Sequence, residues 1–337
     1  MSTEPESVER AAVTAIESID PLGEYKAAAE EYIRAARSTA TLRAYRADWR
    51  DFSAWCAAHE LAALPAEPET VALYLSALAK LGRHAGTIGR RATTIGLVHQ
   101  RQGLASPSAH RMVREALRGI RRKLGTRQRG KLPATLDLIR KAIEHAEGSL
   151  ASSRDRALLL IGFAGGLRRS ELAALRVEDL HAHKHGITLE LPTSKTDQEG
   201  QGREVEIPYG AQPESTPLAE LTCPVRALTQ WLKLANINDG PVFRHVTAAQ
   251  TIHGALSTRA IGEIVKRAFA RAGLDEKDLA RYGAHSLRAG FATEAYQNGA
   301  SELAIMRQTG HKSSAMVRRY IRAEKADRMA AASKLGL

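Results

Sequence analysis

The chain has 337 residues, enough for about two domains at roughly 100–200 residues each. Hydrophobic residues make up 44% of it, which argues against wholesale disorder, and no run of about 18 apolar residues occurs, so no segment is expected to span a membrane. The formal net charge is +12, and one window carries all of it: between Arg83 and Lys131 stand 13 Lys or Arg against a single acid, Glu115. Such a stripe suits a polyanion, because each neutralised phosphate releases condensed counterions, although a solvated basic surface or an acidic protein partner is an alternative.

Residues 1–20 are acidic, lack the basic-then-apolar layout of a secretory signal, and read as a flexible N-terminal arm. From Thr41 a helical pattern sets in: Leu42, Tyr45, Trp49, Phe52 and Cys56 recur at spacings of three and four, with Arg43, Arg46 and Arg50 on a neighbouring face and Thr39 or Thr41 as cap. A second helix after Leu64 and Pro65 turns Val71, Tyr74, Leu75 and Leu78 inward. A third begins near Thr87 with Ile88, Ile95 and Val98 inward and Arg90 and Arg91 beside them. A fourth, from about Ser108 to Lys123, carries Met112, Val113, Leu117 and Ile120 among arginines. Residues 21–124 therefore predict a small helical domain. The GTRQRGK stretch at 125–131 has no apolar period, and 125–133 reads as a basic linker ending at Pro133.

The remainder, 134–325, predicts a mostly helical domain with a little β-structure. Asp155 to Ala164 is nearly all apolar, a buried helix ending at Gly165 and Gly166. ITLEL (187–191) and EVEI (204–207) alternate with period two around a polar turn and predict a β-hairpin. Segment 210–222, with Pro213 and Pro217, is expected to be a loop. Further helices are predicted near 224–235, 258–272, 286–298, 301–309 and 314–323. Cys56 and Cys223 have no CxxC companion, so neither a disulfide framework nor a zinc site is indicated, and a reducing cytosol or nucleoid is the natural compartment. His181, His183 and His185 alternate, but spacing positions no acidic or cysteine partner for a metal, which favours a solvated loop. Gly162, Gly165 and Gly166 do not form a dinucleotide fingerprint and no P-loop occurs, so no nucleotide cofactor is expected.

Three fragments carry chemistry. In GLRRSEL (166–172), Arg168 follows a glycine turn and stands three residues before Glu171, so the two can pair on one helical turn. In HSLR (285–288), His285 and Arg288 share a helix face. In TGHKSSAMVRRYIR (309–322), a glycine–histidine turn is followed by Tyr320 nine residues after His311. Breaking a phosphodiester without a metal needs a nucleophile, positive charge on the non-bridging oxygens, an acid for the leaving oxygen and a group to manage the nucleophile's proton. Singly, each fragment is equally a surface ion pair, a structural His–Arg pair or a half-buried tyrosine. Their joint occurrence in this order resembles the tyrosine recombinase, or phage integrase, family over about residues 150–325. The N-terminal half is similar to the Cre-like members of that family, through DFSAWC (51–56), LPAEPETVALYLSAL (64–78), the Thr87–Ile88 pair and the basic tail of the fourth helix.

The resemblance implies a two-domain, mainly α C-shaped clamp: a DNA-binding core-binding domain at 21–124 and a catalytic domain at 134–325, with a tail at 326–337. Met329 and Leu335 would anchor the chain beyond Ala323 in trans on a neighbour. It implies a site-specific recombinase that needs neither metal nor ATP, acting as a homotetramer on two sites in double-stranded DNA and exchanging strands through a Holliday junction. Tyr320 would attack the phosphorus and form a 3′-phosphotyrosyl link. Arg168 and Arg288 would clamp the non-bridging oxygens, and His311 would donate a further hydrogen bond to them. His285 would assist proton transfer from the tyrosine, and Glu171 would orient the site. Lys195, in the hairpin turn TSKTD (193–197), would be the acid for the leaving oxygen, with Lys184 as a rival on the wrong side of the first strand. Cre-like members carry tryptophan where this chain has His311, the commoner choice in the wider family. Arg43 and Arg90 or Arg91 lie on the helices that would enter the major groove, and Arg259 in LSTRA (256–260) matches a guanine-reading position. Non-specific phosphate contact is the alternative for each. A type IB topoisomerase and a DNA-binding protein on an inactive scaffold are the competing readings. The compact chain with its Cre-like N-terminal helices argues against the first, and the intact set of seven polar positions against the second.

Overall fold

The computed structural model describes residues 36–126, 130–144, 148–192, 202–210, 217–318 and 320, with scattered positions between 22 and 33. The expected arm at 1–20, Lys195 and the tail at 326–337 lie outside the described residues. The chain falls into two compact units, divided between Gln128 and Arg129.

In the first unit α1 (Thr39–Ala58) is capped by Ser38 rather than by Thr39 or Thr41, its hydroxyl accepting from the Thr41 N–H at 3.2 Å. Helix α2 (Pro68–Lys80) starts on a proline, where the missing N–H leaves no bond unmade. Helix α3 (Ala85–Arg101) begins two residues before Thr87, because His84 Nδ1 accepts from the Gly86 N–H. After a 3₁₀ turn (Pro107–Ala109), α4 (Arg111–Leu124) ends at Gly125 with φ +73°. The four helices close over Phe52, Val71, Tyr74, Leu75, Ile88, Ile95 and Val113. His99 is buried inside this core: Nδ1–H donates to the Ile95 carbonyl and Nε2 accepts from the Ala66 N–H, both at 2.8 Å.

The second unit is built on α6 (Leu150–Ala164), apolar all round from Ala157 onward, which buries Leu158, Leu159 and Ile161. Helices α9 (Pro224–Leu234) and α12 (Ala284–Gln297) pack against it. Gly290 lets α12 approach the chain at Ala134 so closely that a Cβ would strike the Ala134 carbonyl. Helices α5 (Leu136–Glu144), α7 (Arg169–Ala174), α8 (Pro217–Thr222), α10 (Thr258–Arg271), α11 (Glu276–Leu279), α13 (Glu302–Thr309) and α14 (Ser314–Arg318) complete the helical part. Strands β1 (Leu180–His183), β2 (Gly186–Leu191) and β3 (Arg203–Pro208) form an antiparallel sheet in which Leu180, Leu189 and Val205 lie in one row facing the core.

The expected hairpin is thus β2–β3 with an added edge. His181 and His183 stand on β1 rather than in a loop, and each finds a carboxylate across the sheet: Glu190 at 3.3 Å and Glu206 at 3.1 Å. A second small sheet joins β4 (Arg244–Val246) to β5 (Ile252–Ala255). Within the expected 210–222 loop, Pro217 opens α8, the start of a helix rather than its break. No described helix is long and apolar enough to cross a membrane.

Candidate active site

The chain leaves α6 through Gly165 and Gly166. Gly166 has φ +55°, and a Cβ there would lie 2.9 Å from both Phe291 Cδ1 and Thr309 Cγ2, so only glycine fits. This turn delivers Arg168 as the N-cap of α7. Its N–H donates to Glu171 Oε2 at 2.8 Å and its Nη1 to Glu171 Oε1 at 2.5 Å, while Nη2 reaches the Gly310 carbonyl at 3.1 Å. Glu171 also accepts from Arg203 Nη2 of β3 at 2.9 Å, and Arg203 Nη1 donates to the Gln308 carbonyl near the end of α13. Burial alone would push the Glu171 carboxyl up; Arg203 and Arg168 outweigh it and hold the group below the ordinary carboxylate range.

Helix α12 supplies the second basic pair. Arg288 is 1% exposed; Nη1 donates to the Gly166 carbonyl at 2.7 Å and Nη2 to His311 Nε2 at 2.8 Å. Burial, and then the nearby Arg168, push this guanidinium down to about 10. Gly310, left-handed at φ +65°, closes α13 and turns His311 back towards α12. His311 is buried, and burial together with Arg288 and Arg168 pulls its imidazole down to about 3.

Tyr320 follows α14, which Arg318 ties to Glu302 of α13 at 2.9 Å. The Tyr320 carbonyl accepts from the Thr293 hydroxyl of α12 at 3.0 Å. Its phenol oxygen is 3.0 Å from His285 Nε2, and its ring lies 5.2 Å from that of His311. Burial, then Arg288, Arg168 and Arg169, lower the His285 imidazole, so it is neutral at pH 7 with a lone pair available for a phenol proton.

Six of the seven predicted catalytic residues, Arg168, Glu171, His285, Arg288, His311 and Tyr320, therefore meet in one place. Lys195 lies outside the described residues; its rival Lys184 is exposed in the β1–β2 turn. Among the described residues no group of three His, Cys, Asp or Glu is placed to hold a metal. Arg43 and Arg259 are exposed on their helices. Arg90 is half-exposed and pairs with buried Asp48 at 2.9 Å. Arg91 is largely buried, bound to the Asp51 carboxylate and, at 2.5 Å, to the Tyr74 hydroxyl.

Arg203 and Thr309 escaped the sequence reading. Arg203 does leave a signal: it lies in phase with the inward Val205 and Ile207, where an alternating strand is otherwise apolar. Thr309, by contrast, is an ordinary helix-end threonine until the fold brings His311 onto it.

A family model described as the phage integrase family matches residues 134–327. The "Integrase/recombinase xerD homolog" of Selenomonas ruminantium is 42% identical over 298 residues, covering 87% of this chain and 84% of that protein. "Recombinase cre" of Escherichia phage P1 is 28% identical over 292 residues, covering 81% of each. Among solved structures, XerH site-specific recombinase bound to palindromic difH substrate matches with TM-score 0.56 at 21% identity, over 80% of this chain and 73% of that one. A lambda integrase tetramer bound to a Holliday junction matches with TM-score 0.53 at 16% identity, over 86% and 74%. The structural likenesses extend the agreement in fold beyond the 134–327 match.

Proposed function

This chain belongs to the phage integrase family and is a site-specific recombinase, and we propose that it cuts and rejoins double-stranded DNA through a covalent bond to Tyr320. The observation that carries this reading is the 3.0 Å contact between the Tyr320 phenol and His285 Nε2, set beside two buried or half-buried arginines and His311. Arg168 and Arg288 neutralise the non-bridging oxygens of the scissile phosphate, where charge builds as phosphorus becomes five-coordinate. The phenol oxygen forms a bond to phosphorus, its proton passing to neutral His285. The bond from phosphorus to the 5′-oxygen breaks, and Lys195 supplies the proton that completes the 5′-hydroxyl. Rejoining reverses each transfer with a 5′-hydroxyl from the partner site. The phosphotyrosyl bond retains the energy of the bond it replaces, so no cofactor enters. Glu171 holds Arg168 in place by accepting from both its backbone and its side chain.

Four copies would assemble on two DNA sites and exchange strands through a Holliday junction, in the cytoplasm at the nucleoid. The likeness in fold to lambda integrase, whose tetramer is solved on such a junction, supports this assembly. The basic helices α3 and α4 and exposed Arg43 and Arg259 would follow the backbone and base edges, and the 326–337 tail would dock on a neighbouring copy.

The test uses nicked suicide duplexes drawn from DNA flanking the gene, incubated with the full chain in EDTA. A protease-sensitive covalent adduct that Tyr320→Phe abolishes is the expected result. Tight, salt-sensitive binding to a defined site with no wild-type adduct would overturn the catalytic roles.

A further inference from the structure

The two ring nitrogens of His311 face partners that leave no choice of proton position. Arg288 Nη2 stands 2.8 Å from Nε2, and a guanidinium only donates, so Nε2 must present a lone pair. Thr309 Oγ1 lies 2.6 Å from Nδ1 and 2.5 Å from the Ile305 carbonyl. A carbonyl only accepts, so the single hydroxyl proton goes to Ile305, and Oγ1 meets Nδ1 as an acceptor. Both ends agree that Nδ1 carries the proton. Thr309 is fully buried, and its methyl occupies the space that a side chain at Gly166 would need, which holds the hydroxyl in this rotamer.

This tautomer conflicts with the hydrogen bond to the scissile phosphate that the family resemblance implies for His311; the second half of the inference rests on that role in the proposed reaction. A phosphate oxygen needs a donor, and Nε2 has none. We propose that Thr309 is a positioning residue that holds His311 as its Nδ1–H tautomer, so that His311 can donate to the scissile phosphate only after Nε2 has taken up a proton. When the phosphate arrives, Arg288 Nη2 turns from Nε2 to a phosphate oxygen. One proton from solvent then adds to Nε2, which donates it in a hydrogen bond to the same phosphate, while Nδ1–H stays on Thr309. The proton returns to solvent when the DNA leaves.

The surroundings make the charging conditional on DNA. Arg288 and His285 from α12, Arg168 from the start of α7 and Arg203 from β3 all face the imidazole and oppose its charging; Glu171 is the carboxylate among the described residues of this cluster, and Tyr320 packs on the ring. In the free protein His311 is therefore neutral across the working pH range, and the phosphate anion is what reverses the balance.

Full-length protein labelled with ¹⁵N-histidine tests the first half without DNA, with His311 assigned by loss of its signals in His311→Gln. At pH 7.5 the wild type and Thr309→Ser are expected to show a protonated Nδ1 and a bare Nε2, and Thr309→Val a mixed or reversed pattern. The second half is read from single-turnover adduct formation on the suicide duplex between pH 6 and 9. Rates for the wild type and Thr309→Ser are expected to fall by about tenfold per unit at the alkaline end, and the Thr309→Val profile to flatten. A wild-type Nε2–H tautomer, or a Thr309→Val protein with unchanged nitrogen pattern and pH profile, overturns the inference. A wild type that shows the Nδ1–H tautomer but forms no adduct instead refutes the strand-transfer reading and the phosphate half with it, and supports the positioning role of Thr309.

Discussion

Replacing Arg203 by methionine removes a positive charge from beneath the site while keeping much of the side-chain volume. Two hydrogen bonds go, one to Glu171 and one to the Gln308 carbonyl. A hydrogen bond to a charged group contributes about 1.5–3 kcal/mol, and breaking a buried ion pair costs about 3–5 kcal/mol when nothing replaces it. Glu171 keeps Arg168, so the loss should sit near the lower bound, about 3 kcal/mol. For a unit of about 200 residues that lowers Tm by about 6–12 °C, measurable by calorimetry on the full chain. The pH dependence is distinctive. The Glu171 carboxyl lies below its ordinary value of 4.5 in the folded protein, so its contribution is full above that value and disappears as pH falls through the lower folded value. With Arg203 gone, burial drives the carboxyl up, so the variant draws less stability from the ionised carboxylate and has less to lose on acidification than the wild type. The stability gap should therefore be widest near neutral pH, where the carboxylate is ionised in both proteins, and narrow on acidification. Adduct formation should fall by about a hundredfold, because Arg168 and the turn carrying His311 lose a shared brace. A Tm change of a degree or two, with a gap independent of pH, would refute this reasoning.

Other outcomes follow from the same contacts. Arg43→Ala and Arg259→Ala should weaken DNA binding and reduce the slope of log affinity against log salt by about one each, measured by fluorescence anisotropy. Arg91→Ala should leave that slope unchanged and destabilise the first unit by about 2 kcal/mol in urea, since its guanidinium is engaged by Asp51 and Tyr74. His99→Ala strands the Ala66 N–H and leaves a void in the core, and should cost about 2–4 kcal/mol of the same transition. Truncation after Arg322 should abolish tetramers on DNA in sedimentation; tetramers that persist would dispose of docking by the tail.

Much of the site was legible because its spacing is local. His285 and Arg288 share a face whatever lies around them, and the glycines at 165, 166 and 310 announce the turns that carry Arg168 and His311. The helices of the first unit were legible for the same reason, their apolar stripes being long. What escaped depends on partners distant in the chain or on short elements. Asp48 lies in the apolar stripe between Tyr45 and Phe52, a carboxylate that makes sense only once α3 brings Arg90 beside it. Strand β1 has four residues, two of them histidines, too few for alternation to register. The cross-strand carboxylates of His181 and His183 come from β2 and β3, which no local pattern relates to them. Thr309 acts through geometry alone.

Tyr320, the proposed nucleophile, and Arg288 of the proposed cationic clamp are mounted on pieces of very different strength. Arg288 stands on the second turn of a fourteen-residue helix packed against the main core, its guanidinium donating to the Gly166 carbonyl. Tyr320 follows a five-residue helix whose burial is little more than Val317 against Ala292 and Ile305; among the described residues its moorings are the Arg318–Glu302 ion pair, the Thr293 hydroxyl and the phenol's own contact with His285. A helix that short has no stability of its own. The amides of 314–318 should therefore exchange hydrogen well ahead of those of 284–297. On the proposed reaction, detaching the blade would leave the grip intact, so recognition of a phosphate and its scission would be separable at low energetic cost, within one small domain and without unfolding it.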